Sequence, residues 1–480
     1  MRILFILKEP LMHERLGVMY LSAVLKSHGH DVRLVLASRV GLKGLRKIMH
    51  NYGPRVVGYS AMTGEHMELL RINRILKEEY KFLSVFGGPH ATFFPGLIRE
   101  SGCDAVCVGE GDLVFSEFCN RVANNEAYWQ VPNFVVKHNG NIIHNSLAPL
   151  IRDLDELPFP DRALMYEADP ALVNEIHKIF FSTRGCPYRC TYCFNRKYNE
   201  IYKNKGPILR MRSPENLVNE ISLVRDSYPL GIVLIDDDTF ILKPKDWFRR
   251  FCAIYKQRIG LPLSCPVRAD LVTEELIAML KDAGLDSVWM GVECGNEDMS
   301  NNVLERRLKN EQIITASKII KNHRVKLITQ NLVGLPVANS YKIDLETLDL
   351  NIRISPTFAW SSILYPYPGT PIESYARKHG FLKKEISFLE TNKRSSLFEF
   401  SKKHKRQIEN LHKLFGLVVR FPFLRKFCNL LCKLHLRSLY SSLFYFWYGY
   451  SYKMKIYPFM SLRKELSSYV RLWWVLIRKS

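Results

Sequence analysis

Short apolar runs and amphipathic stretches alternate along the first third of the chain. Arg2-Ile-Leu-Phe-Ile-Leu7 reads as a buried strand, and residues 32–36, 55–59, 83–86 and 104–108 repeat that pattern. Helical spacing fills the gaps, notably 16–26, stopped by Ser27-His-Gly29, and 66–79. Apolar strands separated by helices predict a parallel, doubly wound α/β sheet, and five such strands suit a flavodoxin-like domain. A ligand of such a sheet sits at the carboxyl ends of its strands. Glycines cluster there, in Gly87-Gly88-Pro89-His90-Ala-Thr92 and in Gly109-Glu110-Gly111. Alone these are tight turns, or places where backbone can approach a large ligand.

The alternation lapses between about 130 and 175. Asn139-Gly140 between apolar runs predicts a small hairpin, and Pro158 and Pro160 break any helix. Residues 136–175 are therefore expected to connect a first domain, 1–135, to a second, 176–380. In the second, strands are expected near 178–182, 231–235, 263–268, 287–293, 326–333 and 359–364. Ser213 before Pro214 and Thr273 before Glu274-Glu275 are expected helix N-caps. Six βα units predict an incomplete parallel barrel, with chemistry at the strands' carboxyl ends.

Composition adds three constraints. A chain of 480 residues with 47% hydrophobic content can fill more than one core. Its 11 cysteines are too sparse for a disulfide scaffold, and Met1-Arg-Ile-Leu-Phe-Ile-Leu-Lys8 offers no signal-peptide cleavage site. A reducing, cytoplasmic setting is expected. The net charge of +22 is concentrated in the tail, where residues 401–480 hold 17 Lys and Arg against two acids. Such an excess attracts anionic partners.

The chemistry gathers in Arg184-Gly-Cys186-Pro-Tyr-Arg-Cys190-Thr-Tyr192-Cys193, three cysteines spaced Cys-x₃-Cys-x₂-Cys after an apolar strand. Three thiolates on one loop can hold three irons of a 4Fe–4S cluster, leaving the fourth open, whereas ferredoxins supply a fourth cysteine. A structural zinc site would need a fourth ligand, and none follows within the next few dozen residues. Buried free cysteines are the remaining reading, against which stands the loop composition of Pro187, Arg189, Asn195 and Arg196.

The motif resembles that of the radical SAM superfamily, whose cluster chelates S-adenosylmethionine. The Gly-Gly-Pro-His-Ala-Thr and Gly-Glu-Gly steps one domain upstream resemble the cobalamin-binding domain of cobalamin-dependent radical SAM methyltransferases. The resemblance implies cobalamin contacts at Gly87, Gly88, Pro89, His90, Gly109, Glu110 and Gly111, and cluster ligation by Cys186, Cys190 and Cys193. It places Tyr192 and Gly334 at the adenine of SAM. Asp237, Arg268, Glu293 and Gln330 fall to its ribose or amino-acid part, groups that call for acids, an arginine and amides. Cobalamin domains with a lower-face histidine use Asp-x-His-x-x-Gly. Here Leu11-Met-His13-Glu-Arg-Leu-Gly17 lacks the aspartate and sets the glycine one residue late, so cobalamin without a histidine ligand is expected. Cys103, Cys107 and Cys119 fall in a strand and helix pattern that reads as core, against the second cluster of methylthiotransferases. Cys252, Cys265 and Cys294 read as structural.

From 381 onward a basic, aromatic, helical C-terminal region is expected, including the charge-free run 438–452. A cap or lid on the barrel, a peripheral contact with the inner face of a membrane, and nucleic-acid binding stay open. The last is disfavoured by the lack of a recognised RNA-binding module. The resemblance implies methylation of an unactivated carbon through a 5′-deoxyadenosyl radical, with an external electron donor; the substrate is expected to be a small molecule, or lipid-like if the tail contacts a membrane. A cyclase without methyl transfer and a non-catalytic cobalamin- or metal-binding sensor are the alternatives.

Overall fold

The computed structural model describes residues 1–8, 14–383, 395–452 and 456. His13 lies outside them, as do 457–480. The chain forms two compact units. The first comprises Met1–Ile179, Tyr198–Arg212 and Val224–Pro229; the second comprises Phe180–Lys197, Ser213–Leu223 and the chain from Leu230 onward.

The first unit is built on β1 (Arg2–Leu7), β2 (Asp31–Leu36), β3 (Val56–Ser60), β4 (Leu83–Gly87) and β5 (Ala105–Cys107). They pair in parallel in the order β2-β1-β3-β4-β5, the doubly wound order expected. β1 is buried along five of its six residues, because helices cover both faces of such a sheet and alternation disappears. The expected hairpin exists as β6 (Phe134–His138) and β7 (Asn141–His144), with Asn139 and Gly140 at φ 50° and 77°. Both positive φ values fit a type I′ turn. The hairpin, however, pairs antiparallel with β5 and extends the sheet, so the boundary placed at 135 falls within β6. Residues further along the connection are also anchored here. Arg162, 4% exposed, donates to Glu14 Oε1 at 2.7 Å, and Tyr166 donates to the same oxygen. Cys103, Cys107 and Cys119 are buried, and burial pushes the thiols of the first two up to about 12.

The second sheet contains β8 (His177–Phe180), β9 (Ile232–Ile235), β10 (Leu263–Val267), β11 (Leu285–Glu293), β12 (Lys326–Val333) and β13 (Phe358–Ile363), in the sequential order of a half-barrel. The expected caps form: Ser213 Oγ accepts from Asn216 N at 3.1 Å, and Thr273 Oγ1 from Leu276 N at 3.3 Å. The edge strand β13 is covered by the helix Lys402–Arg420, whose Ile408, Leu411, Phe415 and Val418 are buried with Val333, Ala359 and Ile363. Each such side chain contributes about 1.5–3 kcal/mol. Gly416 permits this approach, since a Cβ there would lie 3.1 Å from Ala359 O. Covering the edge also removes unpaired strand groups from solvent. The described residues after 395 are thus partly barrel wall.

Candidate functional site

At the end of β8 the cysteine loop is held from below by a buried latch. Asp237, fully buried, accepts from Ser182 N at 2.7 Å and Thr183 N at 3.0 Å, and pairs with the equally buried Lys243 at 3.0 Å. Lys243 lies 4.1 Å from the Phe240 ring centroid. Asp237 was expected at SAM; its carboxylate is instead spent on the strand end that launches the loop. Its neighbours Asp236 and Asp238 are exposed, and Asp238 accepts from Asn195 Nδ2 at 2.7 Å.

Cys186 and Cys190 are buried, Cys193 is half-buried, and none of the three is in a disulfide. Asn195 N donates to Cys193 Sγ at 3.5 Å. Burial, with the Asp238 charge and then neighbouring thiols adding to it, pushes Cys186 up to about 11 and Cys193 up to about 12. Iron would reverse this, because a coordinated thiol is deprotonated. The loop's far end is fixed by Thr191, whose N donates to Leu304 O at 3.1 Å and whose Oγ1 donates to Val303 O at 2.7 Å. Among the described residues no three His, Cys, Asp or Glu side chains close round a single-ion position. A four-iron cube spans a wider triangle of thiols than one ion does.

The remaining strand ends bring polar groups toward this loop. Tyr192 OH accepts from Arg306 Nη1 at 2.7 Å; Arg306 also donates to Gly291 O and stands 3.5 Å from Glu293. Glu293 adopts φ 63°, a left-handed conformation uncommon outside glycine and typical of functional turns. Burial raises its pKa, while Arg306 opposes the shift. Arg268 stacks 3.8 Å from the Tyr188 ring centroid within the cysteine loop, pairs with Asp270 at 2.8 Å and donates to Arg306 O. Gln330 is exposed between buried Thr329 and Asn331 of β12, so a central strand leaves an amide open to the barrel's mouth. Gly334 turns the chain at φ 78°, its N–H donating to Asp344 at 2.9 and 3.1 Å. Acidic, guanidinium and amide groups gathered around three thiols fit a cluster and SAM. Cys294 is buried, its thiol 3.5 Å from Asn296 O, and Cys252 and Cys265 are core.

In the first unit the two glycine steps do end β4 and β5. Gly88 and Gly109 take φ 86° and 79°. A Cβ on Gly87 would meet nothing nearer than Cys107 at 3.9 Å, whereas one on Gly109 would strike Tyr202 OH at 1.9 Å. Gly87 leaves room for a broad ligand, while Gly88, whose Cβ would lie 3.0 Å from Ser60 Oγ, and Gly109 are closely packed. Two expected contacts are engaged by protein. His90 is buried, stacked on His66 at 3.6 Å and Phe94 at 4.8 Å, 3.1 Å from Thr63 Oγ1, and burial then His66 lower its pKa to about 3. Glu110 pairs with Arg210 at 2.7 Å, and its N–H donates to, while Gly109 packs on, Tyr202. Arg306, Lys243, Tyr202 and Arg210 were not expected. Only Lys243, five residues after the acidic Asp236–Asp238 run, left a signal in the sequence, as the nearest possible counter-charge.

Residues 5–119 match the B12 binding domain family and residues 180–343 the radical SAM superfamily. An uncharacterized methyltransferase of Pyrococcus horikoshii is 27% identical over 76% of this chain and 79% of its own. The anaerobic magnesium-protoporphyrin IX monomethyl ester cyclase of Rubrivivax gelatinosus is 26% identical over 73% of this chain and 64% of its own. The solved radical S-adenosylmethionine methyltransferase TsrM from Kitasatospora setae, bound to cobalamin and a [4Fe-4S] cluster, superposes with a TM-score of 0.65. At 15% identity, over 80% of this chain and 76% of that one, it bears on the fold. The chain belongs to the cobalamin-binding radical SAM enzymes, whose cofactors are a 4Fe–4S cluster, S-adenosylmethionine and cobalamin.

Proposed function

We propose that this enzyme transfers a methyl group to an unactivated carbon. The observation that carries the reading is a cysteine loop whose Tyr192 is held by Arg306 beside Glu293, in a chain whose first sheet ends in two glycine steps. A methyltransferase relative that aligns over most of both chains supports methyl transfer. The cofactors supply a carbon-centred radical, made by one-electron cleavage of SAM, and a methyl group carried on cobalt.

The chain's own residues position and shield these groups. Cys186, Cys190 and Cys193 would hold the cluster, with Asn195 N–H donating to the third sulfur. Glu293 and Gln330 would receive the amino-acid and ribose groups of SAM. Tyr192, oriented by Arg306, and the Gly334 turn would flank its adenine. Arg268 acts from behind, holding Tyr188 and thereby the loop. Asp237 and Lys243 fix the strand end beneath it. Gly87, Gly88 and Gly109 would offer backbone to cobalamin, and His90 stays a neutral support under the first step. A lipid-like substrate suits the apolar C-terminal face described below.

Anaerobic turnover with methyl-labelled SAM tests the reading. Label in product, with 5′-deoxyadenosine formed, is expected. Formation of 5′-deoxyadenosine without label in product would favour ring closure, the reading that the cyclase relative supports. Absence of 5′-deoxyadenosine under strong reductant would favour a sensor.

A further inference from the structure

A helix with no charge beyond its first residue and large apolar side chains on opposing faces buries both where it can, and the helix Arg437–Ser451 is covered on one. Tyr440 is buried, and the rings of Phe444 and Tyr448 lie 6.0 and 4.9 Å from that of Trp360 on β13. The opposite face carries Leu439, Leu443, Phe446 and Tyr450, all exposed. Their spacings of four, three and four residues form one stripe along the helix. The segment just before it adds exposed Phe423 and Leu430. Nine of the fifteen exposed large apolar side chains among the described residues fall between 421 and 450. Single exposed apolar residues need no explanation, but a contiguous patch does.

The charge beside the stripe is mostly positive, the exposed Asp349 being paired with Arg425 at 2.6 Å. Arg420, Lys426, Lys433 and Arg437 are exposed, and no acid occurs between Glu409 and Glu465. A second copy of this face would bring cation against cation. A nucleic acid would leave the leucines in water. An anionic bilayer receives both, with leucine and phenylalanine at the acyl boundary and cations among the phosphates.

We propose that this face docks in the interfacial layer of an anionic lipid membrane. Among the described residues no helix is long and apolar enough to cross a membrane, so the helix would lie in the interface. The docking does not depend on methyl transfer being the reaction, and it would bring the enzyme where a lipid-like substrate is concentrated.

Full-length holoenzyme spun with phosphatidylcholine–phosphatidylglycerol vesicles tests this. At low salt it is expected to sediment with them and to stay in solution with phosphatidylcholine alone. Phe423, Leu430 and Phe446 are 63%, 61% and 63% exposed, so replacing all three by Ser should leave iron content and melting temperature unchanged. Vesicle affinity should fall about a hundredfold. Lys426→Glu with Lys433→Glu provides an independent variant, expected to lose about tenfold or more. Parent protein remaining in the supernatant overturns the proposal. So does a triple-serine variant that binds like the parent, since another segment such as 457–480 would then carry the contact. Self-association or RNA binding that the same substitutions abolish, without vesicle binding, overturns it in favour of a second copy or a nucleic acid.

Discussion

The cysteine loop after β8 and the Gly109-Glu110-Gly111 turn after β5 both follow the carboxyl end of a strand in a sheet of mainly parallel strands, yet they are held differently. The loop is fixed by backbone and by residues beneath it: Asp237 grips Ser182 and Thr183 N–H groups, and Thr191 is tied to Val303 and Leu304. None of its three cysteines is in a disulfide. At the turn the side chain is consumed, Glu110 by Arg210, and a Tyr202 hydroxyl packs against Gly109. There the backbone is tied as well, Gly109 N–H to Thr92 Oγ1 at 3.0 Å and Glu110 O to Asn133 Nδ2 at 2.8 Å, so a ligand would meet a surface pre-set by distant residues. Side-chain ligation concentrates function in a few atoms, whereas backbone recognition spreads it over supports that come from far along the chain. Substitutions should therefore fail abruptly at the loop and by degrees at the turn.

Cys186→Ala is the most severe test of that contrast. One ligand of three is lost, so iron content should collapse and SAM cleavage should drop below detection, while cobalamin absorbance after gel filtration is retained. Loss of cobalamin together with iron would mean that the two sites do not fail separately. Arg306→Ala comes next. It leaves the largely buried Glu293, 12% exposed, without its cation and Tyr192 without its donor. A stability loss of about 3 kcal/mol is expected from denaturant titration, with SAM affinity weakened in parallel. Unchanged SAM binding would remove Tyr192 and Glu293 from the site.

Sequence made the strands legible to within a residue or two, because β1 and β9 are apolar runs buried on both faces. It made the cysteine loop legible because its ligands are local. What it hid was long-range. The Asn139-Gly140 turn announced a hairpin but not which sheet edge would take it, and β6 proved to belong to the first sheet. In Asp236-Asp237-Asp238 three like residues compete for roles, and only the end of β9 decides that the middle one is buried. Arg306 meets Tyr192 across 114 residues and Arg210 meets Glu110 across 100. No spacing rule reaches that far. The tail was similarly ambiguous, since burial of Ile408 and exposure of Phe423 follow from which face meets β13.

At the turn, Gly109→Ala should be the stronger of two substitutions. It forces a side chain into φ 79° and onto Tyr202, at a cost of about 2 kcal/mol or more. Cobalamin affinity should weaken by tens of fold with iron content intact.

Tyr202→Phe is the mildest change and the most discriminating. The ring still fills its buried site, 1% exposed, so packing is kept and only the hydroxyl is removed. Glu110 N–H then loses the acceptor it has at 3.0 Å. An unsatisfied buried donor costs about 1–2 kcal/mol, which the turn can partly relieve by shifting. If the turn's backbone receives cobalamin, spectroscopic titration should show affinity down by about tenfold, with melting temperature of the cobalamin-free protein only slightly lower. A purely structural hydroxyl would give the reverse: a lower melting temperature and unchanged cobalamin affinity. That outcome would detach Gly109-Glu110-Gly111 from the cofactor and leave Gly87 and Gly88 as the steps that meet it.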